Sequence, residues 1–293
     1  MSLIVGYAAS DIGFLVADTL LSYPTETYNP RKPVIEKFHA LKIHILRPDI
    51  AVAFAGEVEA SLAIIRRLQR ELAVDPKLCA PRRLLELRQE PAVKAIGASK
   101  ADSEFLVLLL SPEKTLAHIS ADQIRYAERA YIGDAGEYSN FRALARPYSG
   151  PETRFVLNSD GKSQNAIVTE GEKEFEQVST AMERLAHQRS SETVGAICGC
   201  VTRVVDARIS KELEYMQSVE SGISAEEGRA GFSLLASNSE PRGIGIYYYG
   251  WHAGLIFVVG DPIPCRKETA ATIGQFVEIA KSKYGLSLEG GLW

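Results

Sequence analysis

The chain predicts an α+β fold in which helices pack against antiparallel sheets. Three observations lead there. Apolar runs of strand length cluster together, amphipathic helical stretches come in pairs between those clusters, and 293 residues at 46% hydrophobic content can bury a large core. No internal repeat or low-complexity tract interrupts this order.

Residues 2–9 and 12–18 read as two strands joined by a tight turn, because Ser10, Asp11 and Gly13 punctuate two apolar stretches. Residues 22–40 carry Pro24, Pro30 and Pro33 with little periodicity and read as a long connection. Lys42–Leu46 and Ala51–Gly56 follow as short strands across the turn Arg47, Pro48, Asp49. Val58, Leu62, Ile65, Leu68 and Leu72 then recur at helical spacing, with Arg66, Arg67, Arg70 and Glu71 on other faces. A second helix covers residues 81–89. Residues 104–111 read as a buried strand with 115–120 as its partner. Gly133 to Gly136 forms a turn before a helix at 138–145, and a long helix over 172–187 precedes a strand over 194–205. An apolar hairpin at 243–260 and a closing helix at 268–284 complete the chain. The expected organisation is a core of residues 1–205 with a C-terminal elaboration, residues 206–293, packed on it.

A net charge of −4 gives no electrostatic case for nucleic acid. No run reaches the ~18–20 apolar residues of a bilayer span. No Lys or Arg precedes the apolar start, and Asp11 and Gly13 interrupt it, which argues against a secretory leader. The four cysteines (Cys79, Cys198, Cys200 and Cys265) are too few and scattered for a disulfide-stapled fold, and read as reduced core thiols of a cytoplasmic protein. Cys198 and Cys200 share one strand face with no partner at zinc spacing, so no metal is expected. His44 and His252 lie in no motif, and Gly243-Ile-Gly-Ile has the wrong spacing for a dinucleotide loop. No cofactor is expected.

The chemistry concentrates at the start of the chain. Removal of Met1 would leave Ser2 with a nucleophilic hydroxyl and a free α-amine, whose ordinary pKa of roughly 7.7–8.0 lets it serve as a base near neutrality. Asp18 closes the second strand sixteen residues later. Lys42 begins a later strand, and Gly56 follows it by fourteen residues at the mouth of an amphipathic helix. Singly, each has an ordinary reading: a common second residue, a turn carboxylate, a solvated edge lysine, a strand–helix junction. Together they suit acyl transfer. A cation beside Ser2 would lower the pKa of its hydroxyl and favour the neutral amine. Asp18 would hold that cation. Gly56 lets the backbone approach a carbonyl, and an N–H aimed at the developing oxyanion is worth about 3 kcal/mol.

This joint spacing resembles the proteasome-type β-subunits and their bacterial peptidase relatives, members of the N-terminal-nucleophile (Ntn) hydrolases, over residues 2–205 and with an insertion at 22–40. The resemblance implies a four-layer αββα sandwich in which Ser2 is the nucleophile, Asp18 pairs with Lys42, and the Gly56 N–H forms the oxyanion hole. In Arg189-Ser-Ser-Glu-Thr-Val-Gly195, Thr193 matches a hydroxyl that supports the N-terminal amine in the family, while Ser190 stands where the family has Asp. Asp134 stands in place of an auxiliary serine and is a candidate for the missing negative charge. Phe54 matches a position lining the specificity pocket, where a bulky ring implies a shortened pocket. The resemblance further implies peptide or unfolded-protein substrates, homo-oligomeric rings, and an ATP-dependent unfoldase as a partner that no sequence feature here marks. Two alternatives stay open: a non-catalytic structural subunit of such an assembly, and a small-molecule Ntn amidase.

Overall fold

The computed structural model describes residues 3–19, 39–90, 103–157, 163–187, 201–206, 211–224 and 229–290. Its strands are β1 Leu3–Ala8, β2 Gly13–Asp18, β3 Ile43–Arg47, β4 Ile50–Ala55, β5 Glu104–Leu109, β6 Thr115–Ser120, β7 Gln123–Tyr126 and β8 Arg129–Gly133. They continue as β9 Thr153–Leu157, β10 Ser163–Ile167, β11 Val201–Asp206, β12 Leu213–Tyr215, β13 Ser218–Ser224, β14 Arg229–Ser237, β15 Gly243–Tyr248, β16 Ala253–Val258 and β17 Arg266–Thr269. The helices are α1 Val58–Val74, α2 Ala80–Gln89, α3 Ala135–Leu144, α4 Glu170–His187 and α5 Ile273–Tyr284.

Among the described residues, three five-stranded antiparallel sheets form. Sheet one has the order β12-β11-β2-β1-β8, sheet two β3-β4-β5-β6-β7, and sheet three β13-β14-β15-β16-β17, while β9 and β10 make a separate hairpin. Every residue of β1, β2 and β4 is buried. Strands covered on both faces read as continuous apolar runs instead of alternating ones, as Leu-Ile-Val and Ile-Ala-Val-Ala-Phe-Ala do here. Sheets one and two pack together, with β1 against β4, β5 and β6, and β8 against β5 and β6. Gly6 makes this approach possible: a Cβ there would meet Leu15 at 2.8 Å and Leu116 of β6 at 3.0 Å. At the other edge the buried Tyr215 hydroxyl donates to Ile43 O (2.9 Å) and accepts from Ile45 N–H (3.1 Å), tying β12 to β3. Helices α1 and α2 lie against sheet two; α4 lies against β2 and β11, with α3 beside it. The α1 stripe lands as its periodicity predicts, with Leu62, Ile65, Leu68 and Leu72 buried.

Beyond residue 206 the structure is richer than a hairpin and a helix. The hairpin is β15–β16, but β13, β14 and β17 extend it to five strands, and the helix starts at Ile273 because residues 266–269 are strand. Alternation along the central strands is clean. Phe232, Leu234, Ile244, Ile246, Leu255 and Phe257 join the main core. Their neighbours Leu235, Tyr247 and Ile256 form a second cluster with Phe276 and Ala280 of α5 and with Leu286 and Leu288. No helix among the described residues is long and apolar enough to cross a membrane.

Candidate active site

Strand registers decide which residues share an end of the paired sheets. In sheet one Leu3 pairs with Gly133, Ile4 with Ala17, and Asp18 with Val201, so the start of β1 lies with the ends of β2 and β8 and the start of β11. In sheet two Ile43 pairs with Ala53 and Ala55 with Glu104, which groups the start of β3 with the end of β4 and the start of β5. Side-chain contacts join these groups across the sheets. Lys42 Nζ lies 2.7 Å from Asp18 Oδ1, and the Gly133 N–H donates to Glu104 Oε2 at 3.2 Å.

Asp18 and Lys42 are both 0% exposed. Removing two such charges from water costs several kcal/mol per ion, and their attraction recovers this only in good geometry with the remaining polar atoms satisfied. Asp18 Oδ2 has no hydrogen-bond partner among the described residues. Burial pushes the Lys42 ammonium below its ordinary pKa, against the raising influence of Asp18. A desolvated lysine with one specific carboxylate partner has the character of a functional group more than of a stabilising one. The residues that follow Asp18 and precede Lys42 also meet: Ala40 N–H donates to Thr19 O (3.0 Å), and Thr19 Oγ1 lies 3.4 Å from His39 Nδ1.

Gly56 adopts φ +116°, a conformation that disfavours any side chain. Phe54 N–H donates to Lys42 O at 3.1 Å, which puts Lys42 across from Phe54, two residues before Gly56. The turn leaving Gly56 is pinned from three sides. Glu57 caps α1 by accepting from Glu59 N–H (3.2 Å) and Ala60 N–H (2.5 Å), a favourable place for a carboxylate. Ser103 Oγ accepts from Glu57 N–H at 3.2 Å, and the buried Ser61 hydroxyl bonds to Ser103 Oγ (3.0 Å) and Glu57 O (2.5 Å).

Of the sequence-derived set, Asp18 and Lys42 meet directly, and Gly56 and Asp134 lie at the same end. Ser2, Ser190 and Thr193 are outside the described residues, as are Cys198 and Cys200. Asp134 has a structural task, accepting from Glu137 N–H at 2.9 Å as the N-cap of α3. Phe54 is 2% exposed, with its ring centroid 6.1 Å from that of His44. His44 is buried and neutral: its Nε2–H donates to Leu41 O at 2.8 Å, and burial, with Arg66 nearby, pushes its pKa down to about 4. One expectation needs correction. Cys79 is exposed at the N-cap position of α2 and is not a core thiol, whereas Cys265 is half-buried and packs against the main core. Among the described residues, no group of three or more His, Cys, Asp or Glu is placed to hold a metal ion.

Glu104, Ser103 and Ser61 escaped the sequence reading. Glu104 grips the Gly133 turn with one carboxylate oxygen and lies 3.4 Å from His118 Nε2 with the other; the His118 contact leads in holding its pKa below the usual carboxylate range. Nothing in a local motif marks these residues. Their roles come from the Ala55–Glu104 register, which sets them beside Gly56.

No family model and no curated protein matches the chain. Solved structures do. Eukaryotic HslV from Trypanosoma brucei is 16% identical with a TM-score of 0.43, covering 69% of this chain and 98% of that one. Anbu (ancestral beta-subunit) from Yersinia bercovieri is 15% identical with a TM-score of 0.48, covering 70% of this chain and 81% of that one. At these values the resemblance is one of chain trace and says nothing about chemistry.

Proposed function

We propose that the chain is an Ntn-type hydrolase of peptide bonds, built as helices–sheet–sheet–helices with sheet three and α5 added outside, and with Ser2 as nucleophile once Met1 is removed. The fully buried Asp18–Lys42 pair carries this reading, because it lies at the sheet end where β1 begins, one residue after Ser2 in the chain. In the reaction, Ser2 Oγ attacks the scissile carbonyl carbon while its proton passes to the α-amine of the same residue. Lys42 favours the deprotonated hydroxyl and the neutral amine, and Asp18 holds Lys42 in place. The oxyanion accepts a hydrogen bond from the Gly56 N–H. The carbon–nitrogen bond then breaks, the leaving amine takes the proton, and an acyl ester stays on Ser2. Water attacks that ester and gives one proton to the α-amine, the amine passes it to the Ser2 oxygen as the ester bond breaks, and the product leaves as a carboxylic acid that loses its remaining proton to solvent. Thr193, with Ser190 or Asp134, supports the amine, and Phe54 shortens the pocket for the substrate side chain.

Self-assembly into a homo-oligomer belongs to the same reading. The test combines casein and short-peptide turnover with intact mass. Hydrolysis that disappears in Ser2→Ala, in protein lacking Met1, supports it. Turnover of simple acyl amides alone would redirect it to a small-molecule amidase, and a retained Met1 would leave a structural subunit.

A further inference from the structure

Strand β4 offers its backbone groups alternately to its two neighbours. Phe54 N–H donates to Lys42 O on the β3 side, and Ala55 pairs with Glu104 on the β5 side. By the same alternation the Gly56 N–H faces the β3 side again, beyond Lys42, and the Glu57 N–H faces the β5 side. Gly56 is exposed, so a substrate can reach that edge beside the buried Asp18–Lys42 pair. The alternation has to be held at this point, because β4 ends at Ala55 and Gly56, at φ +116°, is where the chain leaves for α1. A glycine has wide freedom to rotate there.

The peptide that follows supplies the restraint. Glu57 N–H donates to Ser103 Oγ at 3.2 Å, where a longer ladder would have offered a backbone carbonyl. Glu57 O accepts from the Ser61 hydroxyl at 2.5 Å and lies 3.4 Å from Ser103 Oγ, and the two hydroxyl oxygens are 3.0 Å apart. Ser61 and Ser103 are 0% and 8% exposed, so little water competes for these bonds. The two serines contribute unequally. Ser61 sits one helical turn past Glu57, and its hydroxyl repeats a bond that its own N–H already makes to Glu57 O at 3.2 Å. Ser103 comes from the β5 side and holds an N–H at the helix start, which has no partner within the helix.

We propose that Ser103 is a positioning residue for acyl transfer, a role that rests on the function proposed above. By fixing the Glu57 peptide on the β5 side, it keeps the Gly56 N–H turned to the β3 side, toward the oxyanion. Ser103 itself touches neither the substrate nor the nucleophile. A donor aimed at charge that develops only in the transition state affects the rate of the chemical step more than the encounter with substrate. Loss of the Ser103 hydroxyl therefore slows acylation of Ser2 without weakening the complex that precedes it.

Labelling of the full chain by a serine-reactive β-lactone, followed by intact mass over a range of lactone concentrations, gives a limiting rate and a half-saturating concentration. In Ser103→Ala the limiting rate should fall about tenfold or more while half-saturation stays within about twofold. Ser61→Ala removes the more deeply buried hydroxyl and should slow labelling less, so that rate and urea stability do not follow each other across the two variants. If Ser103→Ala does not fold, Ser103→Cys, close in size and a weak acceptor, carries the test and should slow labelling severalfold. A limiting rate unchanged in the Ser103 variant, a change confined to half-saturation, or an equal loss in Ser61→Ala overturns the role of Ser103 and leaves the nucleophile standing. A wild-type chain that takes no label at Ser2 overturns the function itself, and this role with it.

Discussion

The two ends of sheet one hold a lysine–aspartate pair each, under opposite conditions. At one end Lys42 and Asp18 are wholly buried at 2.7 Å; at the other, Lys114 and Asp206 lie 2.6 Å apart with 21% and 10% of their side chains exposed, beside an open cleft. The distances are nearly equal, so the difference in consequence comes from desolvation. A pair that water reaches is easily made and weakly stabilising, whereas a pair taken fully out of water must recover a large penalty. The buried pair is therefore poor evidence of stabilisation, and the proposed function gives its lysine a use.

Truncating one partner at each end is the strongest way to break this contrast. Asp18→Ala takes the carboxylate away from the buried Lys42 charge and should destabilise by about 3–5 kcal/mol in urea unfolding, whereas Asp206→Ala should cost less than about 1 kcal/mol. The double variant Asp18→Leu, Lys42→Met removes both charges and should recover most of the lost stability, while the proposed peptide hydrolysis should be lost. Full recovery of both would make the pair a packing element without chemistry. Equal costs for the two single truncations would remove the contrast.

Buried His44, on the strand that follows Lys42, gives the next largest effect. Its folded pKa near 4 lies below its ordinary 6.5, so the unfolded chain binds the extra proton first as pH falls. That stability is complete above about pH 6.5 and falls by about 3 kcal/mol as pH drops toward 4. Denaturant midpoints across this window should flatten in His44→Gln. A smaller effect is expected at Gly56, where Ala at φ +116° should cost about 1–3 kcal/mol and slow turnover by displacing the N–H. The smallest is Glu104→Gln, which keeps an acceptor for the Gly133 N–H. It should change stability by about 1 kcal/mol or less while altering the pH profile of turnover through the lost charge.

What could be read from the sequence follows the same division between buried and exposed. The strands around Leu3–Ala8 and Ile50–Ala55 were legible because burial on both faces writes an unbroken apolar run, and α1 because one face of it meets the core. The exposed edge strands β7 and β17 were not. The β7 segment Gln-Ile-Arg-Tyr is mostly exposed and the β17 segment Arg-Lys-Glu-Thr is charged at three of its four positions, as edges that avoid unwanted pairing tend to be. In the site, Asp18, Lys42 and Gly56 showed through their joint spacing, since each lies at the end of a legible strand. Asp134 was noticed for its place in the chain, but its capping of α3 depends on where that helix begins. Glu104 could not be found at all, because its bond to Gly133 joins residues 29 apart and exists only once both sheets are in register.

The central claim is that the buried lysine serves a nucleophile on the second residue. Mass spectrometry of the purified chain after incubation with a serine-reactive β-lactone tests it most directly. The account predicts a chain lacking Met1 that gains one acyl group mapped to Ser2, with labelling abolished in Ser2→Ala and strongly slowed in Lys42→Met. A chain that retains Met1, or one that lacks it and is labelled elsewhere or not at all, would contradict it.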